Sequence, residues 1–390
     1  MYVPRTAADT LERLAHGYPV IAVTGPRQSG KTTLVRRVFG NKPYVSLETP
    51  DQRQFAQEDP RRFLARYPDG AVLDEAQRCP ELFSYLQSVV DEDGRSGLFI
   101  LTGSQQLGLM AGISQSLAGR VALVPLLPFS LAELQAAGRA PETVDQLLTS
   151  GLYPPVHDRD LDPAVWYGNY VNTYLERDVR ALLNVRDLGT FQRFLGLCAG
   201  RTGQLVNASA LANQCGITHN TAKAWLSVLE AGYLVHLLKP HYRNFNRRLV
   251  KTPKLYFLDA GLAASLLGIQ DPHMMAMHPL RGALFETWVV GELLKSRFHR
   301  GKPSNLFFWR DRSGNEVDLI LELGPELVPI EIKSGETVTR DYFKGLDRWE
   351  ALSGDARARK WVVYGGSGRQ ARGQTEVLPW TDLSVLDHLL

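Results

Sequence analysis

An α/β fold with a helical middle is what this chain of 390 residues predicts, on three observations. The apolar run Val20-Ile21-Ala22-Val23-Thr24 feeds directly into the glycine-bearing loop Gly25-Pro26-Arg27-Gln28-Ser29-Gly30-Lys31-Thr32, and a helical pattern follows. Two short helical segments joined at Gly216 occupy the middle. Strand-like runs carrying Asp318, Glu331 and Lys333 come last. Such a length holds two or three domains, each able to bury a core. The changes of pattern divide the chain into 1–128, 129–188, 189–268 and 269–390.

Hydrophobic residues make up 44% and charged residues 22%, which describes a globular chain, and a net charge of +3 says little about partners. The distribution says more: from Arg186 to Arg300, 14 Lys and Arg face 6 Asp and Glu, so this stretch is where a polyanion would be met. Cys79, Cys198 and Cys215 are scattered and odd in number, which argues against a disulfide framework or a zinc site and for a reducing cytoplasm. The start Met1-Tyr2-Val3-Pro4-Arg5 lacks the apolar core of a signal peptide, and no apolar run reaches the roughly 20 residues of a membrane span.

Thr10 to His16 reads as a short amphipathic helix ahead of the first strand. The loop after that strand is a Walker A sequence. Gly25 opens a tight turn, Gly30 lets backbone N–H groups approach phosphates, and the helix beginning near Lys31 directs its positive dipole end at them. Lys31 would reach the β and γ phosphates of ATP and Thr32 would offer a hydroxyl to Mg²⁺, with Gly25 through Thr33 as the nucleotide cradle. Tyr44-Val45-Ser46-Leu47 is a second strand, and Gly70-Ala71-Val72-Leu73-Asp74-Glu75 is a third ending in two acids. At this distance from a Walker A loop it reads as Walker B, with Asp74 in the Mg²⁺ shell and Glu75 polarising the attacking water. Leu98 to Gln105, ending in small hydroxyl residues, and Val121 to Leu126 complete the set of strands.

The segments G-P-R-Q-S-G-K-T, V-L-D-E-A-Q, I-L-T-G-S and S-L-A-G-R, followed by Leu127-Pro128-Phe129-Ser130-Leu131-Ala132-Glu133-Leu134, resemble a widespread prokaryotic family. Its members are ATP-binding proteins that fuse an AAA-type P-loop NTPase domain to a C-terminal domain of unknown function 4143, and the resemblance spans nearly the whole chain. Comparison with AAA-type ATPases puts Ser104, or alternatively Thr102, in the place of the polar residue that touches the γ-phosphate or the attacking water. Arg120 falls where such proteins carry an arginine finger, which when supplied by a neighbouring subunit makes hydrolysis depend on assembly into a ring or dimer. The same spacing suits an arginine that pairs with an acid of its own subunit.

Residues 129–188 carry apolar residues at helical spacing and fit a lid or connector; Tyr174-Leu175-Glu176-Arg177-Asp178 matches a family signature whose chemistry the residues themselves do not reveal. In 189–268, Ala208 to Cys215, a turn at Gly216-Ile217, and Thr218 to Glu230 have helix-turn-helix spacing, and Tyr233 to Leu238 and Lys254 to Leu258 read as wing strands. In such a winged helix His219, Asn220, Thr221 and Lys223 would face a DNA groove, while Arg243, Arg247, Arg248 and Lys251 would meet phosphates. Winged helices also serve as protein-binding modules.

In 269–390 a helix carrying Glu286 precedes strands bearing Asp318 and then Glu331-Ile332-Lys333, the order of a PD-(D/E)xK nuclease site in an α/β domain. On a strand Glu331 and Lys333 project from one face, placing a metal-binding carboxylate beside an ammonium that steers hydroxide. Asp318 would be a second metal ligand, the Ile332 carbonyl a third, and Glu286 would orient water. Val317 stands where that motif often has Pro, and the same fold also occurs in proteins that bind without cutting. The sequence thus predicts an Mg²⁺-dependent ATPase coupled to duplex or branched DNA. A nucleotide-dependent switch that binds DNA or protein without cutting, and a branch-migration-type translocase with an inactive nuclease fold, are the alternatives.

Overall fold

The computed structural model describes residues 2–103, 113, 115–175, 187–241, 250–311, 313–354 and 359–390. It divides into two compact units, one formed by Met1–Phe129 with Ala231–Tyr233 and Arg297–Pro303, the other by Ser130–Glu230, Leu234–Ser296 and Ser304–Leu390.

The first unit is built on five strands, β1 (Val20–Thr24), β2 (Tyr44–Ser46), β3 (Ala71–Asp74), β4 (Phe99–Thr102) and β5 (Val121–Pro125). They form one parallel sheet in the order β2-β3-β4-β1-β5. Every residue of β1, β3 and β4 is buried, as continuous apolar runs in a parallel sheet covered on both faces must be. One cluster joins Leu73, Leu101 and Ala22 with Phe63, Phe83 and Leu86 on one face; a second joins Ile21, Val23 and Ile100 with Leu11, Leu34 and Val35 on the other. The first helix is Ala7–Ala15, beginning three residues before the sequence pattern suggests, since Ala7 is fully buried although it interrupts no polar run. Because β4 lies between β1 and β3, the carboxyl ends of all three meet at one edge of the sheet, at Thr24, Asp74 and Thr102.

The second unit combines helices with two sheets. The helices Leu131–Ala136, Val144–Ser150, Pro154–Asp158 and Pro163–Tyr170 start at capping residues or prolines; Ser130 and Thr143 each close a full capping box. Leu188–Ala199, Ala208–Cys215 and His219–Ala231 follow, and Trp225 of the last packs edge-on against Phe191 and Phe194, with ring centroids 5.0 and 5.2 Å away. Strands β6 (Gln204–Leu205), β7 (Val235–Leu238) and β8 (Lys254–Phe257) make an antiparallel sheet in the order β6-β8-β7, so the helix-turn-helix carries a wing. Tyr233 and Leu234 fall outside β7 because Tyr233 adopts a φ of 56°.

The 18-residue helix Arg281–Phe298 then leads to β9 (Leu306–Arg310), β10 (Glu316–Leu323), β11 (Glu326–Lys333), β12 (Lys360–Tyr364), β13 (Gln370–Arg372) and β14 (Thr375–Pro379). These form a six-stranded mixed sheet in the order β13-β14-β12-β11-β10-β9, with β9, β10 and β11 antiparallel and β11, β12 and β14 parallel. Helix Lys344–Ser353 covers one face through Leu346 and Trp349, which meet Val317, Ile320 and Val362. No helix among the described residues is long and apolar enough to cross a membrane.

Candidate functional site

Two constellations stand out, one in each unit. In the first, the loop after β1 turns at Gly25, whose φ is 140°; a Cβ there would stand 2.1 Å from the Leu126 carbonyl oxygen, so only glycine fits. Gly30 caps helix Lys31–Val38 in a left-handed conformation, and Gln28 shares that region with a φ of 58°. The Lys31 ammonium is buried and donates to the Gly25 and Pro26 carbonyls at 2.9 and 2.7 Å, inside the hollow of the loop. The loop is braced from outside by Arg5, which donates to Ser29 O at 2.8 Å and Leu127 O at 2.6 Å while its guanidinium lies over the Phe129 ring.

Asp74 collects the neighbouring hydroxyls. It accepts from Thr32 Oγ1 at 3.2 Å, from Tyr44 at 2.5 Å and from Thr102. Burial, and then this bond to a carboxylate, hold the Tyr44 phenol above its ordinary pKa, keeping it a donor. Thr102 Oγ1 also accepts from the Glu75 backbone N–H at 3.4 Å. Glu75 itself sits at a φ of 56°, and its carboxylate accepts from Gln77. Thr102, the alternative to Ser104, thus stands at the end of β4 bonded to Asp74 and the Glu75 N–H, whereas Ser104 lies outside the described residues.

Magnesium and ATP suit this arrangement. The Ser29 hydroxyl is fully buried within the loop without a hydrogen-bond partner among the described residues, and the Thr32 hydroxyl and Asp74 carboxylate form an adjacent pair of hard oxygen donors. Arg120, before β5, forks onto Asp91 of its own chain, Nε to Oδ1 at 2.5 Å and the terminal nitrogen to Oδ2 at 2.8 Å, on the surface.

The second constellation lies in the other unit. Paired strands β10 and β11 bring Asp318, Glu331 and Lys333 together: Lys333 Nζ is 2.8 Å from Glu331 Oε1 and 3.4 Å from Asp318 Oδ2. A register shift between Val317 and Ile320 re-aims Asp318, whose Oδ2 accepts the Ile332 N–H at 2.8 Å. Glu331 is 7% exposed and its Oε2 has no hydrogen-bond partner among the described residues. Burial, then the Asp318 charge, raise the Glu331 carboxyl to about 8. Gly345, in the first turn of Lys344–Ser353, leaves room beside it, since a Cβ there would come within 3.0 Å of Glu331 Oε2.

Glu286, expected to orient water, is hydrogen-bonded to the wing strand. Its Oε1 accepts from Lys254 Nζ at 3.0 Å and from the Tyr256 hydroxyl, and a Cβ on Gly203 would lie 3.5 Å from its Oε2. Lys254 and Tyr256 carry no sequence motif, and only the pairing of β8 with β6 and β7 reveals where they point. Lys254 also pairs with Glu316, which Arg310 contacts at 3.1 Å. Among the described residues no three His, Cys, Asp or Glu are grouped to hold a metal ion. An orphaned carboxylate oxygen on Glu331 beside Asp318 nonetheless suits one divalent cation.

On the helix-turn-helix, His219, Asn220 and Lys223 are exposed, while Thr221 is half-buried and its hydroxyl is bonded to Thr218 at 2.8 Å. Lys251 is exposed; Arg243, Arg247 and Arg248 lie outside the described residues.

Three family descriptions match in succession: an AAA domain over residues 17–135, a domain of unknown function (DUF8612) over 141–273, and a domain of unknown function (DUF4143) over 281–383. Two mycobacterial proteins, the uncharacterized protein Rv2008c of Mycobacterium tuberculosis and Mb2031c of Mycobacterium bovis, are each 34% identical over 96% of this chain and 82% of their own length. Among solved structures, the Walker-type ATPase PABY2304 of Pyrococcus abyssi is 15% identical with a TM-score of 0.45, covering 67% of this chain and 94% of that one. AMPPCP-bound DnaA from Aquifex aeolicus is 16% identical with a TM-score of 0.31, covering 57% and 85%. With its phosphate loop, its two-acid strand end and the match to an AAA domain, the first unit is a P-loop ATPase of the AAA type. The chain belongs to the prokaryotic family of ATP-binding proteins that join an AAA-type ATPase domain to a C-terminal domain of unknown function 4143.

Proposed function

We propose that this ATPase couples Mg²⁺-dependent ATP hydrolysis to the binding and processing of duplex or branched DNA, by translocation, cleavage or both. The observation that carries the DNA half is the convergence of Asp318 and Glu331 on Lys333, whose Nζ lies within 3.4 Å of each, in the same unit as a winged helix with an exposed polar face. In the ATP site Lys31 binds the β and γ phosphates, Thr32 and Asp74 hold Mg²⁺, and Glu75 accepts the proton of the attacking water. Bound Mg²⁺ supplies charge neutralisation on the phosphates. In the second site Asp318 and Glu331 hold a cation, and Lys333 orients the nucleophile toward a DNA phosphate. Arg120 acts in a homo-oligomer, a ring or a dimer, on the nucleotide of a neighbouring subunit.

The test measures ATP turnover with linear duplex, four-way and no DNA, together with Mg²⁺-dependent scission of the same DNAs. The expected outcome is DNA-stimulated turnover that Lys31→Ala abolishes, and scission that Asp318→Asn abolishes while turnover persists. Turnover indifferent to every DNA, with no DNA retained on the protein, overturns the reading.

A further inference from the structure

The second site is composite. Its carboxylates Glu286, Glu316, Asp318 and Glu331 come from the C-terminal domain, yet the cation between two of them comes from the wing: Lys254, on β8, is 3% exposed and bridges Glu286 and Glu316. The wing strand is fixed against the same helix by Thr202, whose hydroxyl meets that of Thr287 at 2.7 Å and accepts the Phe257 N–H. Tyr256, two residues along β8, points to the same face and donates to Glu286. Burial alone would discharge an ammonium here, but Glu286, Asp318 and Glu316 outweigh that penalty and hold Lys254 charged. The other half also holds a lysine, Lys333, on Glu331 Oε1 and Asp318 Oδ2, but that ammonium is partly exposed where Lys254 is buried, and the second Glu331 oxygen, Oε2, is buried without a hydrogen-bond partner among the described residues.

We propose that Lys254 is a tethered cation filling the Glu286–Glu316 half of this cluster, so that the site takes one divalent cation, at Asp318 and Glu331, and Glu286 is a charge partner of the wing and not a metal ligand. This rests on reading Asp318 and Glu331 as metal ligands, and adds to it the number of cations and the source of the substitute. An ammonium and a divalent ion compete for the same carboxylate oxygens; Lys254, buried and paired on both sides, excludes the ion from its half, whereas Lys333 is partly exposed, leaves Glu331 Oε2 untouched and can turn aside toward solvent.

The experiment counts bound Mn²⁺ by electron paramagnetic resonance in the full nucleotide-free chain, in an Asp74→Asn background that removes the carboxylate of the ATP site. One Mn²⁺ per chain is expected, lost in Asp318→Asn and retained in Glu286→Gln. Lys254→Met is expected to bind a second. Loss of Mn²⁺ in Glu286→Gln overturns the proposal, because Glu286 is then a ligand. A folded Lys254→Met that still binds one ion overturns it too, and if that variant does not fold, the isosteric Glu286→Gln decides. Absence of Mn²⁺ from the parent removes the underlying metal reading, and the proposal with it, an outcome distinct from either of the others.

Discussion

Asp74 shows how much of an ATP site depends on residues with no motif. Its carboxylate is held by three hydroxyls, of which Thr32 belongs to the phosphate loop and Thr102 to β4, while Tyr44 comes from β2. A hydrogen bond to a charged group contributes about 1.5–3 kcal/mol. If the Tyr44 bond aligns Asp74 when hydrolysis occurs, Tyr44→Phe slows turnover by roughly tenfold or more, each 1.36 kcal/mol being a factor of about ten. Steady-state ATPase assays at saturating Mg²⁺ check this, and an unchanged rate would mean that the two threonines suffice. Lys31, Thr32, Asp74 and Glu75 were legible in the sequence because phosphate chemistry constrains residue type and spacing together. Arg5, Tyr44, Lys254 and Tyr256 were not, because each reaches its site across a gap that only folding closes. Glu286 was legible as a residue of the second site, but its partner was not.

At the scale of elements, the continuous apolar runs of β1, β3 and β4 made the first sheet readable, and so did the capped helices and the helix-turn-helix spacing. The two-residue strand β6 and the register shift at Asp318 left no such mark, because neither alters a hydrophobic period. The wing sheet has a property of its own. His236 of β7 is half-buried, and that burial, with the nearby Lys239 charge as the smaller cause, lowers its pKa to about 4. Between pH 4 and the ordinary value near 6.5 the unfolded chain therefore binds more protons than the folded one, so stability rises with pH across that window and is lost as pH falls. The full shift corresponds to at most about 3 kcal/mol, less what the partly exposed ring regains from water. Hydrogen exchange in β7 and β8 should accelerate as pH falls from 6.5 to 4, after correction for the intrinsic rate. His236→Gln should flatten that dependence; an identical pH profile in the variant would assign the effect elsewhere.

At the scale of the whole molecule, the open question is whether one chain can hydrolyse ATP alone. Arg120 is engaged with Asp91, which fits the simpler of its two sequence readings, yet the pair is exposed to solvent and so contributes little to stability. It can therefore be given up at small cost. An arginine placed on a transferring phosphoryl group is worth roughly 10³-fold or more in rate, so an encounter with a neighbouring subunit's nucleotide would readily redirect it. This predicts an asymmetric pair of variants. Asp91→Asn should hydrolyse ATP at least as fast as the parent, because it releases the guanidinium. Arg120→Ala should lose turnover while keeping its melting temperature and its nucleotide affinity, and the parent's specific activity should climb with protein concentration where the variant's stays flat. Equal loss in both variants would identify the ion pair itself as the functional feature, and full activity in Arg120→Ala at every concentration would reduce Arg120 to a surface contact.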